Sequence, residues 1–78
     1  MIIYSNDEKS FINSEYLYGA YICKDQYGLF RISAVCNCGD RGITIGDYNT
    51  EQAAKNALKS LMTAITSNAE TVFYMPKN

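Results

Sequence analysis

Three cysteines, Cys23, Cys36 and Cys38, are the residues best suited to hold a metal, since thiolates are strong zinc ligands and two of them are separated by a single residue. A structural zinc site takes four ligands from Cys and His, and this chain contains no histidine. A hairpin folded about residues 25–28 would set Cys23 opposite Phe30 or Ile32, on the order of 13 to 20 Å along the ladder from Cys36. Cys36 and Cys38 on one strand would stand about 6.5 to 7 Å apart and be poorly aimed for a bridge. The expectation is therefore no metal and no cofactor, with the cysteines serving as thiols of a reducing compartment.

Nucleophilic catalysis by Ser or Cys usually needs a base poised near neutral pH, and without histidine the usual partner is missing. A carboxylate pair could do acid–base work, but Asp25, Asp40 and Asp47 all adjoin turn-type glycines, where Asp is expected for backbone reasons. The chain is read as a non-enzyme with no catalytic residues. Gly39-Asp40-Arg41-Gly42 could cradle an anion on backbone N–H groups and Arg41, yet it matches no phosphate-binding fingerprint and reads first as a hairpin loop.

Recognition is left to aromatics and arginine. Seven tyrosines and no tryptophan are the most unusual feature of the composition, and Tyr joins a large apolar body to a polar tip suited to interfaces. Because contact hot spots are enriched in Tyr and Arg, the expected binding residues are Tyr16, Tyr18, Tyr27, Arg31 and Arg41. The polar helix side with Lys55, Asn56 and Lys59 is expected to be ordinary solvated surface.

The elements that position these residues follow from periodicity. Residues 2–5 form a short apolar run broken by the polar cluster Asn6-Asp7-Glu8-Lys9-Ser10 and read as an edge strand, with a further extended piece over 11–14. Residues 16–24 and 29–37 are rich in β-favouring side chains and flank a turn containing Gly28, which predicts a hairpin. In the second of these strands Phe30, Ile32, Ala34 and Cys36 alternate with Arg31, Ser33 and Val35. Strict alternation in the first puts Tyr16, Tyr18, Ala20 and Ile22 on one side and Leu17, Gly19, Tyr21 and Cys23 on the other. Residues 43–48 resume the alternation.

At Asn49-Thr50-Glu51 the period changes. Either Asn49 or Thr50 can cap a helix over residues 50–66, whose apolar stripe is Ala54, Leu58, Leu61, Met62 and Ile65. Residues 71–75 read as a last strand. The predicted fold class is α+β: an antiparallel sheet, a meander of about four to five strands, with one amphipathic helix packed on one face, in the order β-β-β-β-α-β. A hairpin apolar on both sides leaves a second face to be covered by the N-terminal segment, by a second copy or by a partner.

At 78 residues, 1–78 is a single domain with a thin core, so a homodimer or higher oligomer is expected. The net charge of −1, with seven dispersed basic residues, makes nucleic acid an unlikely partner. No run reaches the roughly 18 apolar residues of a membrane span, and the first residues lack a signal-peptide pattern, which predicts a soluble cytoplasmic protein without a membrane partner.

Gly46-Asp47-Tyr48-Asn49-Thr50-Glu51-Gln52-Ala53-Ala54 and the ending Val72-Phe73-Tyr74-Met75-Pro76 resemble small uncharacterised proteins of Gram-positive bacteria and their phages and mobile elements. These share a G-x-Y-x-T-E-x-x-A step into a helix and a Tyr-Met-Pro close; the Cys36-Asn37-Cys38 segment departs from that pattern. The resemblance covers about half of the chain and implies a phage or mobile-element setting, without carrying over any site residue. In that setting the leading expectation is a non-enzymatic binding protein, for example an inhibitor of a host defence system that contacts a host or bacterial protein. Two alternatives stand beside it. One is a protein that sequesters a nucleotide signal by tyrosine stacking, with Arg31 or Arg41 on phosphate, and the other is a structural homo-oligomer.

Overall fold

The computed structural model describes residues 1–36, 42–67 and 71–77. Arg41, Cys38, Asp40 and most of the expected anion loop lie outside the described residues. The element order is β1 (Ile2–Tyr4), β2 (Phe11–Asn13), a single 3-10 turn (Ser14–Tyr16), β3 (Leu17–Lys24), β4 (Phe30–Cys36), β5 (Ile43–Tyr48), α1 (Glu51–Ser67) and β6 (Val72–Tyr74). The fold is α+β, as the residue pattern predicts, but the strands divide into two sheets of three. One is the antiparallel meander β3-β4-β5 and the other has the order β2-β1-β6. Five strands precede the helix, because residues 11–13 pair fully with β1. No helix among the described residues is long and apolar enough to cross a membrane.

β1 is not an edge. It is the middle strand of its sheet, antiparallel to β2 through Ile3↔Ile12 and parallel to β6 through Ile3↔Phe73. The physical reason is Ile3, which is fully buried and needs a neighbour on each side to exclude water. Its inner face, with Ile12 and Met75, joins Ile32, Ala34, Ile45 and Tyr48 of the meander and Ala54, Ala57 and Leu61 of the helix in a single core. The N-terminal segment thus enters the core beside the helix and does not fold over the outer face of the hairpin.

Helix α1 starts at its cap. The Thr50 hydroxyl accepts from Ala53 N at 3.1 Å and the Thr50 carbonyl from Ala54 N at 3.2 Å, which decides between the two cap candidates. Glu51 sits in the first turn, where the dipole favours a carboxylate, and pairs with Lys55 at 3.4 Å. The inward stripe runs through Ala54, Ala57 and Leu61, with Leu58 and Ile65 beside it. Met62 is turned off that stripe by the 100° step per residue and is exposed, while Ala57 takes a place in the core that Met62 was expected to hold.

Two β-bulges break the alternation. Leu17 lies opposite Cys36 and Gly19 opposite Val35, so Tyr18 is an extra residue with no cross-strand partner. The bulge turns Leu17 onto the core with Ala20 and Ile22 and expels Tyr18, so the strict two-residue period places both Leu17 and Tyr18 on the wrong side. In β5, Ile32 faces Gly46 and Ser33 faces Thr44, and the extra residue, Ile45, is buried.

Tyr48 closes the core. A Cβ at Gly46 would lie 2.7 Å from Tyr48 Cε2, so only glycine leaves room for the ring above it. The Tyr48 hydroxyl donates to the Pro76 carbonyl at 2.7 Å, and Met75 N donates to Tyr4 O at 3.0 Å. Burial, helped by the Asp47 charge, pushes the Tyr48 hydroxyl up to about 12. An unfolded tyrosine titrates near 10, so this contribution is fully present below about pH 10 and is lost as pH rises toward 12.

Urea midpoints followed from roughly pH 9 to 12 should therefore fall, with on the order of 2 kcal/mol lost through this one group. Tyr48→Phe should flatten that fall while lowering stability at neutral pH by about 1 to 2 kcal/mol, because it strands the Pro76 acceptor. Gly46→Ala, which must displace the ring, should cost about 1 to 3 kcal/mol in the same assay.

Candidate contact surface of the hairpin

The turn between β3 and β4 is built by Asp25. Its backbone N donates to Leu29 O at 2.9 Å, and its Oδ1 accepts from Tyr27 N at 2.8 Å and Leu29 N at 2.9 Å. Gly28 takes φ +84°, the left-handed conformation that glycine adopts without steric cost. This geometry holds Tyr27 at the tip, where it is 79% exposed. At the other end of β3 the bulge leaves Tyr18 77% exposed, and Tyr16, the last residue of the 3-10 turn, is 52% exposed.

The five expected contact residues do not form one patch. Tyr16 and Tyr18 share one end of the hairpin and Tyr27 marks the other, about 25 Å away over the length of β3. Arg41 lies outside the described residues. Arg31 stands in the strand pair with Cys23 and Asp47, and its Nε donates to Asp47 Oδ1 at 3.0 Å while Nη2 lies 3.5 Å from Asp25 Oδ2. The hydrogen bond and charge of Asp47 hold the guanidinium above its ordinary value, with Asp25 adding to the effect. Arg31 is thus a strut between the turn and β5, and a phosphate approaching it would meet two carboxylates. Asp47 is a mid-strand ion-pair residue, and only Asp25 of the described aspartates beside a glycine does the expected turn work.

The outer face of β3-β4-β5 is mixed in character, with Tyr21, Cys23, Arg31, Val35 and Asp47 accessible to differing degrees. Ser33 is buried there, and a Cβ added at Gly42 would come within 3.0 Å of Ser33 Cβ and 3.1 Å of the Tyr21 hydroxyl. Cys23 is exposed on this face, whereas Cys36, opposite Leu17, is buried on the other. Five residues separate Cys36 from the partner of Cys23, roughly 16 Å along the strand.

A second aromatic group was not among the expected contacts. Phe11, Tyr4 and Tyr74 form a row across the small sheet, with Tyr4 and Tyr74 stacked at 5.0 Å and 10°, and Tyr4 and Phe11 tilted at 5.7 Å. The signal available in the sequence was a Tyr or Phe in each of three short strands. What joins them is a parallel pairing across almost the whole chain. These rings spend their faces on one another, while the side chains of Tyr16, Tyr18 and Tyr27 have no ring contact or hydrogen bond among the described residues.

Comparison of the chain with protein-family models, with curated proteins and with solved structures returns no match. Arg31→Ala should act on the fold, since it leaves the buried Asp25 Oδ2 without a counter-charge. A lower urea midpoint than wild type, with unchanged circular dichroism before the transition, is expected.

Proposed function

We propose that this chain is a non-enzymatic protein that acts by occupying a surface of another protein, with Tyr16 and Tyr18 as the principal anchors and Tyr27 as a separate outlying contact. The observation that carries the reading is the bulge at Tyr18. It places the Tyr18 ring in solvent beside Tyr16 of the 3-10 turn, at the end of a well-paired hairpin, and neither ring has a ring partner among the described residues. Rigid aromatic side chains lose little conformational freedom on binding, which is why they dominate interface energetics. In the phage or mobile-element setting that the resemblance implies, the partner would be a host protein, and blocking a host defence protein is the leading form of the proposal.

The test compares wild type with a Tyr16→Ala/Tyr18→Ala variant, both checked for unchanged circular dichroism, as immobilised baits in a bacterial lysate. A partner retained by wild type and by Lys55→Ala but lost by the double variant is expected. Each tyrosine truncation should then weaken the purified complex by about 2 kcal/mol, roughly thirtyfold. Equal retention by all three baits would refute the reading.

A further inference from the structure

We infer that the groove between α1 and β6 takes an extended segment of a partner protein as a fourth strand of the β2-β1-β6 sheet, with a carboxylate of that segment at Lys59. The inference rests on the reading of the chain as a protein binder but uses a different surface from the hairpin tyrosines. β6 is one of the two edge strands of its sheet, and the one that borders the hollow on the helix side. Its parallel ladder to β1, bounded by Ile2 N to Thr71 O at 2.8 Å and Met75 N to Tyr4 O at 3.0 Å, engages alternate residues of the strand. Val72 and Tyr74 therefore turn their N–H and C=O groups away from β1, where no strand meets them among the described residues. Such an edge is a template for another strand.

This edge borders a cavity. A hollow of about 580 Å³ is lined by Phe73 on the sheet side and by Asn56, Lys59, Ser60, Thr63 and Ser67 on the helix side. The helix side that was expected to be plain solvated surface is in this part the wall of a groove. From Asn56 to Ser67 the wall spans roughly 16 Å, the length of about five extended residues. An open edge facing a helix across a groove gives an entering chain backbone hydrogen bonds on one flank and side-chain contacts on the other.

Charge chooses the occupant. Among the described residues of that lining Lys59 is the one charged side chain, and among the described residues it has no ion-pair partner. Two copies paired edge to edge about a twofold axis would bring like-charged walls together, which is unfavourable. A foreign segment carrying Asp, Glu or a terminal carboxylate gains instead.

The probe is a displayed library of random nine-residue peptides selected against the immobilised full chain, with the enriched peptide synthesised and titrated. Enrichment of acidic peptides is expected, with affinity falling about tenfold or more in both Lys59→Glu and Val72→Pro. Val72→Pro removes an outward N–H that the ladder to β1 does not use. Bound peptide should also slow hydrogen exchange at the Val72 and Tyr74 amides. If Val72→Pro does not fold, Lys59→Glu and the exchange measurement decide. Absence of any enriched peptide, or peptides indifferent to Lys59→Glu and giving no protection at those amides, overturns the inference. So does a dimer by sedimentation that Val72→Pro dissociates, since the occupant is then a second copy. A peptide that loses affinity on Tyr18→Ala but not on the groove variants overturns it too, while leaving the binding role of the hairpin standing.

Discussion

The ring of Tyr48 ties the meander to the C-terminal end of the small sheet. It lies over Gly46 on the inner face of β5, and its hydroxyl holds the Pro76 carbonyl beyond the end of β6. A three-residue strand with one neighbour gains little from its own ladder, so β6 depends on what fixes its ends. Met75, buried between Tyr4 and the core, supplies one fixed point and the Tyr48 hydrogen bond the next. Asn6 adds a link at the same end of the sheet, two residues past Tyr4, donating through its backbone to Ile45 O and through Nδ2 to Asp47 O. β5 is therefore the spine against which the small sheet is hung. The segment 46–54 and the segment 72–76 are physically interdependent. Gly46 admits Tyr48, Tyr48 fixes Pro76, Thr50 caps the helix and Ala54 packs it down.

What could be read from the residues is what depends on near neighbours. The helix limits, its cap, the hairpin turn at Asp25 and Gly28, and the inward alternation of β4 all arise within a few residues of chain, and each appears close to where the pattern puts it. The partition into two sheets was not legible. A run such as Ile2-Ile3-Tyr4 is too short to show a period, and its pairing with Val72–Tyr74 joins opposite ends of the sequence. Bulges escape for a related reason. At Leu17 and Tyr18 either residue could fill the inner site, and the choice is made by the register of Cys36 and Val35 across the sheet.

The candidate site shows the same division between type and place. Tyrosine exposure was a fair inference from composition, and Tyr16, Tyr18 and Tyr27 are all exposed. That they fall at two ends of one hairpin follows from the length of β3 and could not be inferred from residue type. Arg31 is the instructive case. As a residue type it suits recognition, yet its guanidinium is committed to Asp47 across the strand pair and to Asp25 in the turn. It shapes the hairpin that presents Tyr27 and is a positioning residue for any contact made there.

Exposure alone does not distinguish a binding surface in a chain this small, because two short sheets and one helix cannot cover every apolar group. The row Phe11-Tyr4-Tyr74 illustrates the point. Phe11 and Tyr74 stay 64% and 57% exposed with a side of each ring against Tyr4, so the exposed fraction does not set them apart from Tyr16 and Tyr18, whereas their ring neighbour does. Among the described residues Tyr16 and Tyr18 have no such company, and no strand lies beside the outward backbone of Val72 and Tyr74. The free energy available to a partner is greatest where the chain has left a capacity unused. By that criterion the hairpin end offers uncovered ring surface and the β6 edge offers unmade backbone hydrogen bonds. A partner presenting an apolar surface is suited to the first, and an extended acidic segment to the second.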